Sequence, residues 1–138
     1  MVDQKNQEKI RVLLADDHAV VRAGIRQFLE RSGRIHVVAE AGDGLQACEM
    51  IARQPPDVAV FDIQMPLRSG IEATRWVRAN QPSVGVLVLT AYDDEPYVQA
   101  ALRAGANGYV LKTAEPDEIV RAVEDVYQGK AVLDAALA

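Results

Sequence analysis

The chain has 138 residues, enough for one domain with a real core, and 49% hydrophobic with 25% charged residues is an ordinary globular balance. A net charge of -5 argues against this segment being a nucleic-acid-binding surface, which needs a basic patch, but excludes nothing about a domain that could follow. The single cysteine, Cys48, rules out an intrachain disulfide and fits an intracellular, cytoplasmic setting; no run is long enough to span a membrane, and Met1 to Lys9 lacks the apolar core of a signal peptide.

Residues 1–9 read as a disordered tail. Ile10 to Ala15 is a first strand that runs into Asp16-Asp17-His18. Val20, Val21, Ile25, Phe28 and Leu29 then recur at helical spacing, with Gly33 as the stop. Ile35 to Ala41 is a second strand, Asp43-Gly44 is turn chemistry, and Leu45 to Arg53 is a helix with Leu45, Cys48 and Ile51 at helical intervals, closed by Pro55-Pro56. Asp57 to Asp62 is a third strand, a continuous apolar run with one carboxylate at its end. Ser69 to Asn80 is a helix with Ile71, Thr74, Trp76 and Val77 inward. Val84 to Leu89 reads as a central strand ending in Thr90, and Asp93-Asp94-Glu95-Pro96 opens a helix running to about Ala104. Tyr109-Val110-Leu111 is a short strand followed by Lys112. Ala114-Glu115-Pro116 starts a last helix with Ile119, Val120, Val123 and Val126 on one face and Gly129 at its end. Residues 130–138 read as the start of a linker.

Alternation of strand and helix predicts a three-layer α/β domain, a parallel sheet with helices on both faces and right-handed crossovers. Every strand then ends on one side of the sheet, where open parallel sheets bind ligands. The strand ends bring Asp16 and Asp17, Asp62, Thr90 and Lys112 together. Each alone has a structural role open to it: a helix cap, a strand end, a surface charge. Together they form three carboxylates, a hydroxyl and an ammonium. Carboxylates so close raise one another's pKa unless a cation joins them, and Mg²⁺, with its taste for oxygen donors and phosphates, resolves the conflict. A carboxylate beside Mg²⁺ and a lysine suits attack on phosphorus. His18, in the first turn after the acidic pair, is expected to point to solvent.

Leu14-Ala15-Asp16-Asp17-His18, Asp62-Ile63-Gln64-Met65-Pro66 with Ser69-Gly70, Leu89-Thr90-Ala91 and Gly108-Tyr109-Val110-Leu111-Lys112 together resemble a bacterial two-component response-regulator receiver domain. The resemblance covers residues 10–129 and is closest to the NarL/FixJ type, also called LuxR type. It implies a (βα)5 doubly wound, flavodoxin-like fold with five parallel strands. Asp62 would be the phosphoacceptor for a sensor histidine kinase. Asp17, Asp62 and the backbone carbonyl of Gln64 would ligate Mg²⁺, with Asp16 acting through water. Thr90 and Lys112 would bind the phosphoryl oxygens, and backbone N–H groups of Gln64 and Ala91 would complete the cage. Tyr109 would turn inward when Thr90 moves. Gln64 and Tyr92 occupy positions that tune loss of the phosphoryl group, a bulky Tyr92 screening it from water. Residue 113 is Thr where many receivers have Pro.

The same resemblance implies a homodimer formed on phosphorylation and a helix-turn-helix domain beyond residue 138 that would contact DNA; there is no membrane partner. The alternative is a stand-alone receiver that signals by protein contact. A phosphate-ester hydrolase with an aspartyl nucleophile would place a second aspartate two residues on, where this chain has Gln64. A flavin-binding domain would need a phosphate-cradling loop after the first strand, and none follows it.

Overall fold

The computed structural model describes residues 8–91 and 95–133. Within them the chain alternates β1 (Ile10–Ala15), α1 (Ala19–Arg31), β2 (Ile35–Ala41), α2 (Gly44–Arg53), β3 (Val58–Asp62), α3 (Gly70–Asn80), β4 (Gly85–Thr90), α4 (Glu95–Ala104), β5 (Gly108–Leu111) and α5 (Pro116–Tyr127). All neighbouring strands pair parallel, in the order β2-β1-β3-β4-β5. The doubly wound sheet expected from the alternation is the one that forms. The helix-opening role read for Asp93 and Asp94 lies outside the described residues.

Side chains alternate across each strand, so each strand feeds two cores. Val12 and Leu14, Val58 and Val60, and Leu87 and Leu89 pack with Ile25 and Leu29 of α1 and Ile119, Val123 and Val126 of α5. Leu13 and Ala15, Ala59 and Phe61, and Val86 and Val88 pack on the opposite face with α2, α3 and α4. Burial of the inner strands on both faces explains their unbroken apolar runs. β2 changes face midway: its register against β1 slips between Val12 and Leu13, leaving Val38 as an extra residue. Val37 therefore joins one core and Ala41 the other, although they are four apart, an even spacing that would put them on one face of a regular strand.

Local chemistry sets the helix ends. The Asp43 carboxylate accepts from the Gln46 N–H at 2.7 Å to cap α2. Ser69 and Glu72 form a reciprocal capping box at α3. Pro116 opens α5.

The apolar pattern overstates burial at three positions. Val20 and Val21 are 86% and 41% exposed, and Leu45 is 37% exposed. These residues occupy the first turns of α1 and α2, at the carboxyl edge of the sheet, where the helix starts beyond the last strand residue and has little beneath it.

After α5 the chain turns back onto the sheet. Val132 forms a parallel bridge with Gly108. The Tyr109 N–H donates to the Val132 carbonyl at 3.0 Å, and the Val132 N–H donates to the Asn107 carbonyl at 3.1 Å. Residues 131–133 thus lie along the outer edge of β5.

Candidate functional site

The strand order reverses between β1 and β3, since the chain leaves β1 for β2 on one side and continues from β3 to β4 and β5 on the other. A crevice opens at such a point beyond the carboxyl ends of the strands. Asp16 and Asp62 sit there, one residue past β1 and at the end of β3. Thr90 ends β4, next to β3, and Lys112 follows β5. Backbone pairing fixes each end: Asp16 N–H donates to Ala41 O at 3.1 Å, Ile63 N–H to Leu89 O at 3.1 Å, and Lys112 N–H to Thr90 O at 2.8 Å.

Asp16, Asp62 and Thr90 are buried, with 0%, 6% and 3% of their surface exposed. The Lys112 ammonium lies 2.8 Å from Asp16 Oδ2 and 3.2 Å from Asp62 Oδ2. Burial pushes the Asp62 carboxyl above the ordinary carboxylate range; the Lys112 charge opposes this, and Asp16 and Asp17 add to it. Burial acts to lower the Lys112 ammonium, but its contacts with Asp16 and Asp62 outweigh that and raise it, so it stays charged.

One lysine thus serves two buried carboxylates, with Asp17 beside them. Asp16 Oδ2 is buried and makes no hydrogen bond of good geometry; only the nearby lysine charge meets it. Carboxylate or imidazole atoms of Asp16, Asp17, His18 and Asp62 lie within 4.8 Å of one another. An under-satisfied buried oxygen in a mainly oxygen donor set fits a hard divalent cation.

A cavity of about 290 Å³ opens over Asp62, lined by Asp17, His18, Gln64, Thr90, Ala91, Tyr97 and Lys112. The strand-end residues read from the sequence therefore do converge. Tyr109 does not line this cavity. It is 2% exposed, on the same sheet face as Val88, its register partner, and as Thr90 two residues further along β4. Tyr109 is inside in this structure, and its turning when Thr90 moves belongs to the proposed switch. Tyr92 lies outside the described residues.

Several supporting residues gave no signal in the sequence. Arg22, on α1, donates to the Asp16 carbonyl at 2.6 Å and is held in turn by Glu40 of β2 at 3.0 Å. Nothing in the spacing of Arg22 and Glu40 announces that contact. The loop after β3 is clamped by two glycines. A Cβ on Gly70 would lie 2.3 Å from the Asp62 carbonyl oxygen, and one on Gly44 would lie 2.0 Å from the Arg68 carbonyl oxygen. Gly70 N–H also donates to Ile63 O at 2.8 Å. Pro66 to Gly70 is thus a fixed loop, and Leu67 holds a left-handed φ of 67° within it.

A crevice at the switch point of a doubly wound sheet, walled by buried aspartates with a lysine between them, defines a receiver-type site, and the comparisons agree. The family model of the response regulator receiver domain matches residues 12–124. The chain belongs to this family, a regulatory rather than a catalytic one, and its relatives place it among receivers of the NarL/LuxR type. It is 41% identical over 133 residues to the transcriptional regulatory protein DegU of Brevibacillus brevis, covering 96% of this chain and 56% of that one. It is 39% identical over 129 residues to the oxygen regulatory protein NreC of Staphylococcus epidermidis, covering 93% and 59%. The chain therefore spans under two thirds of these curated relatives. Among solved structures, the signal receiver domain of the response regulator NarL from Mycobacterium tuberculosis aligns with a TM-score of 0.86 at 41% identity, covering 89% of this chain and 99% of that one. A LuxR-family response regulator from Aurantimonas sp. SI85-9A1 aligns with a TM-score of 0.89 at 35% identity, covering 94% and 93%. Among the described residues no helix is long and apolar enough to cross a membrane.

Proposed function

We propose that Asp62 accepts a phosphoryl group from the phosphohistidine of a sensor histidine kinase, and that the modified chain switches a transcription-regulating domain. The observation that carries this reading is the buried Asp62 carboxylate, open to a cavity and held by a lysine it shares with Asp16. In the transfer the donor N–P bond breaks and an O–P bond forms at Asp62, the histidine nitrogen leaving with its electron pair.

Asp17, Asp62 and the Gln64 carbonyl would hold Mg²⁺, with Asp16 acting through water, and the ion would offset the charge of the carboxylates and the phosphoryl oxygens. The chain's own groups do the rest. Thr90 donates its hydroxyl to one phosphoryl oxygen, Lys112 pairs with another, and the N–H groups of Gln64 and Ala91 complete the cage. An aspartyl phosphate adds charge and strong acceptors where Thr90 and Lys112 stand. Their contacts with it supply the differential affinity that a two-state switch requires.

Gln64 at the rim and Tyr92 tune how fast water removes the group. The transcriptional output, the DNA contact and a homodimer formed on phosphorylation belong to this reading. The name of the Brevibacillus relative supports the first, and the greater length of both relatives is consistent with a further domain. Acetyl phosphate with Mg²⁺ is expected to label the wild-type chain and not Asp62→Asn; equal labelling of both removes Asp62 as the acceptor.

A further inference from the structure

We infer that Arg22 is a positioning residue for phosphoryl transfer: its guanidinium holds the peptide that joins Asp16 to Asp17 and so sets the aim of both carboxylates. The inference rests on reading Asp62 as the phosphoacceptor.

Asp16 stands one residue past β1, beyond the paired residues of the strand. Its carbonyl accepts from Arg22 Nη1 at 2.6 Å, a short bond of the charge-assisted kind. That carbonyl belongs to the peptide unit whose other end is the Asp17 N–H. A peptide unit is planar and turns as a whole, so turning it swings the Asp17 side chain against Asp16. The Asp16 carboxylate is meanwhile held from two other sides, by the His18 N–H at 2.8 Å and the Lys112 ammonium at 2.8 Å. Arg22 thus secures the backbone joint between the two aspartates.

The guanidinium is itself held. Nε donates to Glu40 Oε1 at 3.0 Å, and Glu40 Oε2 meets Arg26 Nη1. Arg26 Nε reaches Glu30 Oε1 at 3.4 Å, and Glu30 Oε2 accepts from the Val37 N–H at 3.2 Å. This run of charges therefore ends on the β2 backbone. Arginine and a carboxylate commonly close a two-bond fork on each other. Here Glu40 divides its oxygens between two arginines, and Arg22 Nη1 goes to the Asp16 carbonyl instead. Ion pairs near the surface stabilise little, so the placing of this bond on a neutral acceptor between the site aspartates is the informative feature. A Cβ added to Gly42 would lie 3.7 Å from Nη1, so the part-buried group is seated against the turn after β2.

The test uses the whole chain. Without metal, Arg22→Ala is expected to move the NMR resonances of the Asp16 carbonyl carbon and the Asp17 amide nitrogen, and millimolar methylguanidinium to return them. With acetyl phosphate at saturating Mg²⁺, Asp62 labelling in Arg22→Ala should slow by roughly tenfold or more, because small errors of aim are costly in group transfer. Methylguanidinium should restore the rate, and Arg22→Lys, which keeps the charge without the fork, should stay slow. Arg34→Ala, which breaks the ion pair with Glu124 instead, should label at the wild-type rate with both resonances unmoved. Where urea titration shows that Arg22→Ala has lost its fold, Glu40→Gln, which unties Nε, should give the same shifts and a smaller slowing; a Glu40→Gln chain identical to the wild type then overturns the inference. Wild-type labelling by a folded Arg22→Ala, or slowing with no shift at Asp16 and Asp17, overturns the role of Arg22 and leaves Asp62 as the acceptor. A wild type that takes no label overturns both readings.

Discussion

Adding one methyl group at Gly70 is expected to cost more than at any exposed glycine of the chain, and the structure gives the reason. The added Cβ would lie 2.3 Å from the Asp62 carbonyl oxygen and 3.0 Å from both the Asp62 carbonyl carbon and Ile63 Cα. Ordinary carbon contacts begin at about 3.5 Å, so the shortfall against the oxygen is roughly 1 Å. All three neighbours are backbone atoms at the end of a buried central strand, and none can rotate away. Relief requires α3 to move off β3, which stretches the Gly70 N–H bond to Ile63 O, 2.8 Å.

Overpacking in a core costs about 1–3 kcal/mol, and the strained hydrogen bond pushes the value to the upper part of that range. Gly70→Ala is therefore expected to lose about 2–3 kcal/mol in urea unfolding. Because the movement starts at the Asp62 carbonyl, phosphoryl labelling should fall with it. Gly24→Ala is the control. Gly24 lies within α1, has no atom within 4 Å of its added Cβ and has no left-handed φ, so the same change should stabilise by about 0.5–1 kcal/mol. A Gly70→Ala chain as stable as the wild type, with unchanged labelling, refutes the argument that this contact fixes the loop.

Burial raises the folded-state pKa of Asp62 above its unfolded value, so its share of stability is full below the unfolded pKa and is lost as pH rises through the folded one. In EDTA, Asp62→Asn should therefore be more stable than wild type at neutral pH, the gap closing in acid; urea midpoints across pH check this, and a constant gap refutes it. Gly108→Ala places a Cβ 2.4 Å from the Val132 carbonyl oxygen and should lift residues 131–133 off β5, costing about 1 kcal/mol. The Tyr109 amide, which donates to that carbonyl, should then exchange faster by NMR, and unchanged protection would show that the segment holds its place another way. Cys48 is buried, and burial pushes its thiol up, so the thiolate fraction is small. A maleimide should modify it slowly in the native chain and rapidly in urea; rapid native modification would contradict its burial between α2 and the sheet.

The strand ends were legible because a parallel sheet puts them all on one side, so five apolar runs, four of them with a polar residue at the end, were enough to place Asp16, Asp62, Thr90 and Lys112. The two cores were legible for the same reason, down to Val58 through Phe61. Periodicity failed at Val20, Val21 and Leu45 because a pattern records spacing and not the height of a residue along its helix, and first turns overhang the sheet. The Arg22–Glu40 support joins a helix to a strand that follows it, a pairing set by the crossover and not by sequence spacing. The Val132 bridge was missed because a single backbone contact on an edge leaves no side-chain pattern; the one trace it leaves is Gly108, whose missing Cβ makes room for it.

The buried position of Tyr109 changes where the free-energy difference between two states of this chain must arise. A ligand shifts an equilibrium only by the contacts it makes better in one state than in the other. Tyr109 is 2% exposed here, so its packing is already made in this state. The groups with contacts still to gain or exchange are at the cavity: Thr90, and the Lys112 ammonium, which here divides itself between Asp16 and Asp62. A phosphoryl group on Asp62 would compete for that lysine, drawing on the end of β5, and β5 is bonded through the Tyr109 N–H to Val132. On the proposed switch, a path from the site to the chain beyond α5 would run along the backbone of β5 through the Tyr109 N–H bond to Val132. Displacement of residues 131–133 would sever that path while leaving every residue of the cavity in place.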